Sequence, residues 1–417
     1  MRITIRGPTF IVVVRGVSFL TSVISPESKP VKRHDYFKAD YGRIRDDAKR
    51  IDWEGIMKRE SVELAWEGFV QSMQTLRDKW VPVKIQKENK RKWINRTVVK
   101  ARRAKAKAWI KYKCEKNEEN LMKYKDKLRM SVAANRSAKI NYEQKLANNV
   151  KDNGKSFFAY VRSKQRTKDR VGPLKDTLGN VVVEDCVAAN LLNTYFASVF
   201  TVEDTSNIPN LTPIFQESVE NQGLLGIKIS KAMVEMKLAS LKVDKCPGLD
   251  GIHPKMLFEL REIISGPLAE LFSRSLKTGA VPINWKDAGV TPLFKKGKKS
   301  DVKNYRPVSM TCLVCKVMES ILKDAIMAHL EKHELIRDSQ HGFTRGRSCL
   351  TNLLEFLEDV TLNLDEGRPV DVIYLDFAKA FDTVPHERLF VKLLAHGICG
   401  QVLQWVKSWL VGRRQKV

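Results

Sequence analysis

The sequence is poor in cysteine, and every long apolar stretch in it is interrupted by a charged residue. It contains 7 cysteines in 417 residues, an odd and sparse set that excludes a secreted disulfide scaffold and indicates a reducing compartment. Cys312 and Cys315 have a CxxC spacing, but no second pair or histidine cluster accompanies them. Because they begin an apolar helical pattern, packing is favoured over a zinc site.

The longest apolar stretch, residues 9–24, is interrupted by Arg15. It is shorter than the roughly 20 apolar residues that span a bilayer. Arg2 and Arg6 precede it, as basic residues precede the apolar part of a signal peptide. A buried strand or a piece of upstream reading frame is favoured over a targeting role, and residues 1–30 stay an N-terminal segment of uncertain function.

Acidic residues are too few to balance the basic ones. The chain has 74 Lys and Arg against 48 Asp and Glu, a net charge of +26 and a pI near 9.7. A surplus of that size favours a polyanionic partner, with nucleic acid first and an anionic membrane surface second. The hydrophobic content of 43% still allows a folded core.

Most of the surplus charge lies in residues 81–170, which hold 28 Lys and Arg but only 8 Asp and Glu. This segment has one glycine and one proline and is otherwise rich in helix formers. We therefore predict a basic helical nucleic-acid-binding linker, in preference to a merely solvated helical face. Aromatic residues are interleaved with the basic ones, namely Trp93, Trp109, Tyr112, Tyr124, Tyr142, Phe157, Phe158 and Tyr160.

The segments on either side of the linker are less strongly patterned. Residues 31–80 predict a small mixed segment with a short helix, for which Asp52 is a possible cap. Residues 171–229 predict a turn-rich stretch, a helix from about Asp185 to Phe200 capped by Asp185, and a linker over 201–225.

Residues 230–417 show the pattern of a compact α/β domain. Leucine and valine spacing predicts two amphipathic helices, from Val314 to Ile326 and from Leu350 to Leu364, the second closed by Gly367 and Pro369. The other predicted elements are helices at about 230–242, 254–278, 386–396 and 400–410, and strands at 288–294, 305–310 and 370–377, the last one buried.

Four motifs in this region carry possible chemistry. Residues 245–251 form a Pro-Gly and Asp-Gly turn. A hairpin loop carries Lys295, Lys296, Lys298 and Lys299, with Arg306 on its return strand; this cation cluster suits a triphosphate, although a solvated hairpin tip has the same composition. Residues 338–353 form a glycine-containing basic loop before a helix. Asp376 ends a predicted strand, where a carboxylate holds Mg²⁺ or merely caps a turn.

Taken together, "NYRPVSM", "QHGFTRGRS" and "LDFAKAFDTVPH" resemble the reverse transcriptases of LINE-type non-LTR retrotransposons, especially the jockey and chicken-repeat clades. The resemblance is densest over residues 230–417. It extends back to residue 31, so that residues 31–80 resemble a remnant of the region after the endonuclease. It implies an α/β (α+β) fold with right-hand polymerase fingers and a partial palm over 230–417, preceded by a basic, mainly helical region.

The resemblance also implies roles for single residues. Asp376 matches a catalytic aspartate that binds both of two Mg²⁺ ions, and the backbone carbonyl of Phe377 matches a further ligand. Phe381 matches the steric gate that selects dNTPs, and Lys295, Lys296 and Arg306 match residues that hold the incoming triphosphate. The residues that match the template path are Gln340, Gly342, Phe343, Arg345 and Arg347, together with Pro247, Gly248 and Asp250 of the earlier turn.

The function implied is RNA-directed DNA polymerase activity, which copies element RNA into DNA by two-metal nucleotidyl transfer. The implied partners are an RNA template, a DNA primer or target and dNTPs, without a membrane, in the cytoplasm and nucleus. The second aspartate pair of the family is not found in the sequence, so the chain resembles a truncated enzyme and is expected to be inactive alone. The alternatives are a catalytically dead nucleic-acid-binding remnant and a non-functional translated relic.

Overall fold

The structure is a computed structural model that describes residues 3–6, 9–14, 17–22, 32–85, 92–152, 154–164, 171–176, 178–215 and 223–417. The strands are β1 (Ile3–Arg6), β2 (Thr9–Val14), β3 (Val17–Ser22), β4 (Lys32–His34), β5 (Val83–Ile85), β6 (Leu174–Lys175), β7 (Val181–Val182), β8 (Asp287–Phe294), β9 (Tyr305–Met310) and β10 (Arg414–Lys416). The helices are α1 (Tyr41–Lys49), α2 (Trp53–Met57), α3 (Val62–Trp80), α4 (Arg96–Cys114), α5 (Glu118–Asn148), α6 (Gly154–Lys164), α7 (Asp185–Ala197), α8 (Lys231–Ala239), α9 (Pro254–Glu259), α10 (Arg261–Thr278), α11 (Ile283–Lys286), α12 (Leu313–Lys332), α13 (Cys349–Asp365), α14 (His386–Ala395) and α15 (Gly400–Leu410).

The chain forms two compact units. The first, called here the basic unit, consists of residues 1–35 and 83–170; the second, the large unit, consists of 36–82 and 171–417. Parts of two predicted segments lie outside the described residues, namely 216–222 of the 201–225 linker, and 86–91, 153 and 165–170 of the basic segment. The predicted burial of residues 9–24 concerns side chains that are also outside the described part.

The basic unit contains an antiparallel sheet in the order β1-β2-β3 and a long helical hairpin of α4 and α5. Asn95 and Asn117 cap these helices, because each side-chain oxygen accepts a hydrogen bond from the backbone N–H three residues later. The two helices pack side by side along a seam, and the Arg102 guanidinium of α4 donates to the side-chain oxygen of Asn135 of α5 at 2.6 Å. The buried residues of the hairpin are Val98 on α4 and Asn120, Ser131, Ala138 and Leu146 on α5.

The core of the large unit includes residues 36–82, which lie in sequence between the two parts of the basic unit, although sequence patterning showed only a short helix there. Trp66 and Phe69 of α3 are fully buried. Trp66 meets Trp285 edge to face, with ring centroids 5.5 Å apart, and Trp285 meets Phe272 of α10 in the same way at 5.9 Å. Residues 36–82 therefore pack directly against the helices that lead into β8. The predicted cap at Asp52 is confirmed, because its side chain accepts from the backbone N–H of Gly55.

His253 joins this early segment to the rest of the large unit. Its ring stacks on Tyr36 with centroids 4.1 Å apart, and its Nδ1 accepts a hydrogen bond from the backbone N–H of Lys255 at 3.1 Å. Burial lowers the pKa of His253 to about 4. The folded protein therefore holds this imidazole neutral at pH values where the unfolded chain protonates it.

This pKa predicts a loss of stability in mild acid. Below the unfolded pKa of about 6.5 the unfolded state binds the proton, so the free energy of unfolding should fall by roughly 3 kcal/mol as the pH drops towards 4. Urea denaturation between pH 7 and pH 4 measures the effect. A His253→Phe variant keeps the ring but cannot titrate, so its pH slope should be shallower. Parallel curves for the two proteins would contradict the prediction.

A small three-stranded sheet in the order β10-β8-β9 forms the second layer of the large unit. β8 pairs antiparallel with β9, from Gly289 opposite Met310 to Phe294 opposite Tyr305, and β10 pairs parallel with β8. One face packs on α7 through Leu192, Phe196 and Tyr305. On β9 the other face presents Arg306, Val308 and Met310 to solvent.

Two helix predictions need correction at their boundaries. The single helix predicted over 254–278 is two helices, α9 and α10, which join at Leu260. The helix predicted from Asp185 to Phe200 ends at Ala197, and its cap residue is Glu184, without a side-chain cap hydrogen bond. Asp185 is an acidic residue in the first turn, where its charge favours the positive end of the helix dipole.

The prediction of a buried strand over residues 370–377 is wrong. This segment has no regular secondary structure, and Ile373 and Leu375 are exposed. A strand needs a hydrogen-bonded neighbour, and no described strand pairs with it. The predicted helix at 350–364 is present as α13, but its leucines are more than half exposed instead of packed. Among the described residues, no helix is long and apolar enough to cross a membrane.

Candidate functional site

The β8–β9 hairpin fixes the positions of the predicted triphosphate-binding cations. Its loop is closed by hydrogen bonds from the backbone N–H of Lys295 to the carbonyl of Asn304 at 2.8 Å and from the Tyr305 hydroxyl to the carbonyl of Lys299 at 2.7 Å. The side chains of Lys295 and Lys296 are exposed, as is that of Arg306. The hairpin therefore presents exposed cations on a hydrogen-bonded backbone, an arrangement suited to a polyanionic ligand.

The loop at 338–348 is anchored by a residue that sequence analysis did not single out. His341 is buried, with Nδ1 3.0 Å from the hydroxyl of Thr351 and Nε2 2.5 Å from a carboxylate oxygen of Glu355. Both partners belong to α13. The capping box of that helix, formed by Ser348 and Thr351, was the one signal in the sequence that placed Thr351 near the loop.

The predicted template residues of this loop occupy its solvent side. Gln340 donates from Nε2 to the carbonyl of Gly342 at 2.9 Å, and the Arg347 guanidinium binds the backbone carbonyl of Asp338. Arg345 is exposed. Hydrogen bonds within the loop therefore fix its shape, and the side chains of Gln340 and Arg347 form two of them.

The structure brings together Phe343, which was predicted to line the template path, and Phe381, which was predicted to be the steric gate. Phe343 and Phe381 meet edge to face with ring centroids 5.8 Å apart, and they are 87% and 78% exposed. Phe343 has a φ of 61°, and Lys379, two residues before Phe381, has a φ of 52°. Positive φ is uncommon for residues other than glycine, so both turns are strained. The result is an open aromatic pair at the surface.

Asp376 and Phe377 lie in the irregular segment before this turn, and both are exposed. A carboxylate and a neighbouring carbonyl are suitable Mg²⁺ donors, but Mg²⁺ takes six oxygen ligands. No group of three His, Cys, Asp or Glu side chains that could hold a metal ion exists among the described residues. The residues present therefore do not complete a metal site. Nor does Asp376 make a polar contact with Lys295, Lys296 or Arg306 in the described part of the chain.

The turn after Asp376 is held by α7 and by the segment that follows it, which was predicted to be only a linker. The ammonium of Lys379 donates to the Tyr195 hydroxyl at 2.6 Å, and the Thr201 hydroxyl donates to the carbonyl of Thr383 at 2.9 Å. Glu203 accepts from the backbone N–H groups of Glu387 and Arg388, at 2.8 and 3.1 Å. These bonds place a carboxylate at the start of α14, where a negative charge is favourable.

The electrostatics of Glu203 follow from these contacts. Burial acts to raise the pKa of its carboxyl, but the two backbone N–H groups and the Arg388 guanidinium, 2.9 Å away, stabilise the anion and hold the pKa below its usual value. Composition gave no sign of this role, because the stretch that contains Glu203 has the polar, proline-containing character of a linker.

The same segment borders an open cleft of about 730 Å³. Phe381 and Asp382 line one side, and Phe200 and Thr201 line another. Ala288 and Ser309 of the small sheet also contribute. The cleft thus joins the sheet to the turn that carries the predicted steric gate, and its volume is in the range of small-molecule sites.

The turn at 245–251 has structural contacts that account for several of its residues. A Cβ on Gly248 would lie 2.7 Å from the carbonyl oxygen of Thr311, so the turn lies directly against the chain between β9 and α12. Asp250 accepts from the backbone N–H of Ile252 at 3.0 Å, and burial raises the pKa of its carboxyl. Pro247 is half-buried. Template binding by this turn remains a prediction.

The cysteines at 312 and 315 are buried, as the packing interpretation predicted. The Sγ of Cys312 accepts from the backbone N–H of Cys315 at 3.4 Å and so caps α12. Burial raises the pKa of both thiols well above the usual value.

Comparison with known proteins supports the resemblance that the sequence motifs indicated. The family described as "Reverse transcriptase (RNA-dependent DNA polymerase)" matches residues 295–417. The probable RNA-directed DNA polymerase from transposon BS of Drosophila melanogaster is 24% identical over 261 residues, 60% of this chain and 28% of that protein. The RNA-directed DNA polymerase from mobile element jockey of the same species is 28% identical over 182 residues, 42% of this chain and 20% of that protein.

A protein of Xenopus laevis is also similar to this chain. The transposon TX1 uncharacterized 149 kDa protein of Xenopus laevis is 21% identical over 262 residues, 62% of this chain and 20% of that protein. The chain therefore spans between a fifth and less than a third of the length of these relatives.

Proposed function

We propose that this chain, which carries a reverse transcriptase domain of the non-LTR retrotransposon type, is part of an RNA-directed DNA polymerase. That polymerase copies element RNA into DNA. The observation that carries the proposal is the family match over residues 295–417. That stretch contains the cationic loop and the return strand β9 of the hairpin, the loop of Phe343 and the turn of Phe381. The contact between Phe343 and Phe381 supports it, because these residues are 38 positions apart in sequence and meet in space.

In this proposal the β8–β9 hairpin belongs to the fingers, and residues 370–417 belong to the palm. Arg306, with Lys295 and Lys296, binds the triphosphate of the incoming nucleotide; the planar guanidinium pairs with two phosphate oxygens and the lysines add point charge. The ring of Phe381 excludes a 2′-hydroxyl. Asp376 would offer one carboxylate to Mg²⁺, an ion that would neutralise phosphate charge in such a site, but the described residues do not complete the ligands of the metal. Phe343 and the 338–348 loop contact the template.

Nucleotide binding by the 417-residue chain tests the proposal without requiring turnover. Fluorescent dTTP is titrated in Mg²⁺ in the presence of an RNA template annealed to a DNA primer. Arg306→Ala should weaken binding roughly 10- to 100-fold, the usual loss for a charge-assisted contact worth about 1.5–3 kcal/mol. Lys303→Ala is the matched control, because Lys303 is an exposed cation on the same hairpin loop but outside the predicted triphosphate set.

The steric gate gives a second readout from the same titration. Phe381→Ala should bind UTP nearly as well as dTTP, whereas the unaltered chain should prefer dTTP. Equal losses in the Arg306 and Lys303 variants would reduce the hairpin to a general cationic surface. Together with an unchanged dTTP preference in the Phe381 variant, that result would refute the proposed nucleotide site.

A further inference from the structure

The turn that carries Phe381 has little support of its own. It is called here the gate turn and consists of residues 379–383. The backbone N–H groups of Asp382 and Thr383 both donate to the carbonyl of Lys379, at 2.9 and 3.2 Å. Lys379 and Phe381 are exposed, and Lys379 has a φ of 52°. A strained and exposed turn keeps one shape only when the surrounding structure holds it there.

Two side chains from another part of the chain hold the gate turn, one at each end. At the first end, the Lys379 ammonium donates to the Tyr195 hydroxyl at 2.6 Å and lies 4.4 Å from the centroid of the Tyr195 ring. At the last end, the Thr201 hydroxyl donates to the carbonyl of Thr383 at 2.9 Å. Phe381 lies midway in sequence between these two contacts. The turn is therefore fixed on both sides of the proposed steric gate.

The position of Tyr195 is itself fixed by the small sheet. The next residue, Phe196, is buried in one cluster with Val290 of β8 and Tyr305 of β9, and Tyr195 packs against that cluster. Tyr195 also lines a small cavity together with Lys379. A phenol ring has only two side-chain torsions, so its hydroxyl has little freedom once the ring is packed. The hydroxyl of Tyr195 thus sets where the gate turn lies relative to the sheet.

A steric gate depends on accurate placement of its ring. It must reject one additional oxygen atom, and functional groups need to be held to within roughly 0.5 Å of the productive geometry. Phe381 is 78% exposed, so packing around its own ring supplies little of this restraint. Its contact with Phe343 adds little rigidity, because Phe343 is 87% exposed. The restraint must come largely from the two ends of the gate turn.

We propose that Tyr195 and Thr201 are positioning residues for the gate. By holding the ends of the gate turn they place the ring of Phe381, and they thereby set the preference for dNTPs over rNTPs. Both act through the turn and neither is assigned a contact with the nucleotide. This inference rests on the proposed function, because the gate has a task only if the chain binds nucleotides.

Competition between fluorescent dTTP and UTP for the full 417-residue chain, in Mg²⁺ and with a primed RNA template, tests the proposal. Tyr195→Phe keeps the ring and its packing but removes the hydroxyl. It should lower the preference for dTTP over UTP roughly three- to tenfold, the effect of one lost hydrogen bond. Affinity for dTTP itself should change less than about twofold, since the triphosphate contacts remain. Thr201→Val, which removes the other hydroxyl, should shift the preference in the same direction.

Two controls isolate the gate from the rest of the site. Tyr41→Phe makes the same chemical change elsewhere in the large unit, where the Tyr41 hydroxyl donates to the carbonyl of Tyr36 at 2.8 Å. It should leave the preference unchanged. Arg306→Ala should weaken dTTP and UTP binding alike, so the ratio of the two affinities responds to the gate and not to the triphosphate contacts.

A double-mutant cycle and hydrogen exchange show whether the effect passes through the turn. Lys379→Met removes the partner of Tyr195, so adding Tyr195→Phe to it should cause no further loss of preference. In the absence of nucleotide, Tyr195→Phe should also speed amide exchange at Asp382 and Thr383, whose N–H groups close the gate turn. The melting temperature of Tyr195→Phe should stay close to that of the unaltered chain.

Three results would overturn the proposal, and they are distinguishable. Unchanged preference and exchange in Tyr195→Phe and Thr201→Val, with a preference that Phe381→Ala abolishes, would remove the positioning role and leave the proposed function standing. Equal losses of dTTP and UTP binding with a lower melting temperature would show a merely structural role. If neither the unaltered chain nor Phe381→Ala distinguished dTTP from UTP, the proposed nucleotide site would fail and the positioning role with it.

Discussion

Replacing Trp66 with alanine should lower the free energy of unfolding of the large unit by about 3–5 kcal/mol. Trp66 is fully buried between Phe69, whose ring stacks on it at 5.8 Å, and Trp285. Removing the indole leaves a cavity between α3 and the helices that lead into the β8–β9 hairpin. Urea denaturation followed by circular dichroism measures the loss, and the melting temperature should fall by roughly 5–15 °C.

Two further variants locate the origin of this effect. Leu64 lies on the same helix but is 42% exposed, so Leu64→Ala should cost less than about 1 kcal/mol. Trp66→Phe should cost less than Trp66→Ala, because the buried indole N–H of Trp66 has no hydrogen-bond partner among the described residues and phenylalanine removes that donor. If Trp66→Ala were as mild as Leu64→Ala, residues 36–82 would not belong to the core of the large unit.

Gly248→Ala should destabilise the large unit by roughly 2–3 kcal/mol, against the usual benefit of replacing a glycine. A Cβ at this position lies 2.7 Å from the carbonyl oxygen of Thr311 and 3.1 Å from the Cα of Cys312. Both are backbone atoms, and neither can rotate away as a flexible side chain would. The turn would have to move off the start of α12, and urea denaturation would show the cost directly.

The control variant is expected to change the free energy of unfolding in the opposite direction. Gly266 lies inside α10, and a Cβ there meets no other atom within 4 Å. Gly266→Ala should therefore stabilise the protein by up to about 1 kcal/mol through helix propensity. A neutral Gly248→Ala variant would mean that the turn is free to move, and the predicted template contact would then have no rigid support.

The sequence predicted best where local chemistry decides the structure. The strand predicted over 305–310 is found over those residues, and the strand predicted over 288–294 begins one residue earlier, at Asp287. The basic, glycine-containing loop between them cannot continue either strand, so both ends are marked. The cap at Asp52 and the helix at 400–410 were predicted for the same kind of reason.

Features that depend on partners distant in sequence could not be predicted in this way. The apolar pattern of residues 370–377 suits a buried strand, but a strand forms only beside another strand. Nothing local shows that Trp66 packs on Trp285, or that Glu203 accepts hydrogen bonds from residues 387 and 388. In the candidate site, the resemblance singled out Phe343 and Phe381 separately, but neither their contact nor the anchoring of His341 by a carboxylate fourteen positions away could be read from local sequence.

Burial separates the cysteines into two chemical classes. Cys114, Cys186, Cys246 and Cys349 are exposed, whereas Cys312, Cys315 and Cys399 are buried, and burial raises the pKa of all three. Alkylation requires the thiolate and access to solvent. An iodoacetamide time course on the native protein should therefore show a fast phase at the exposed set. Labelling of Cys312 and Cys315 should proceed only as fast as α12 separates from its neighbours. The labelling rate of these two residues therefore measures how often this part of the core opens.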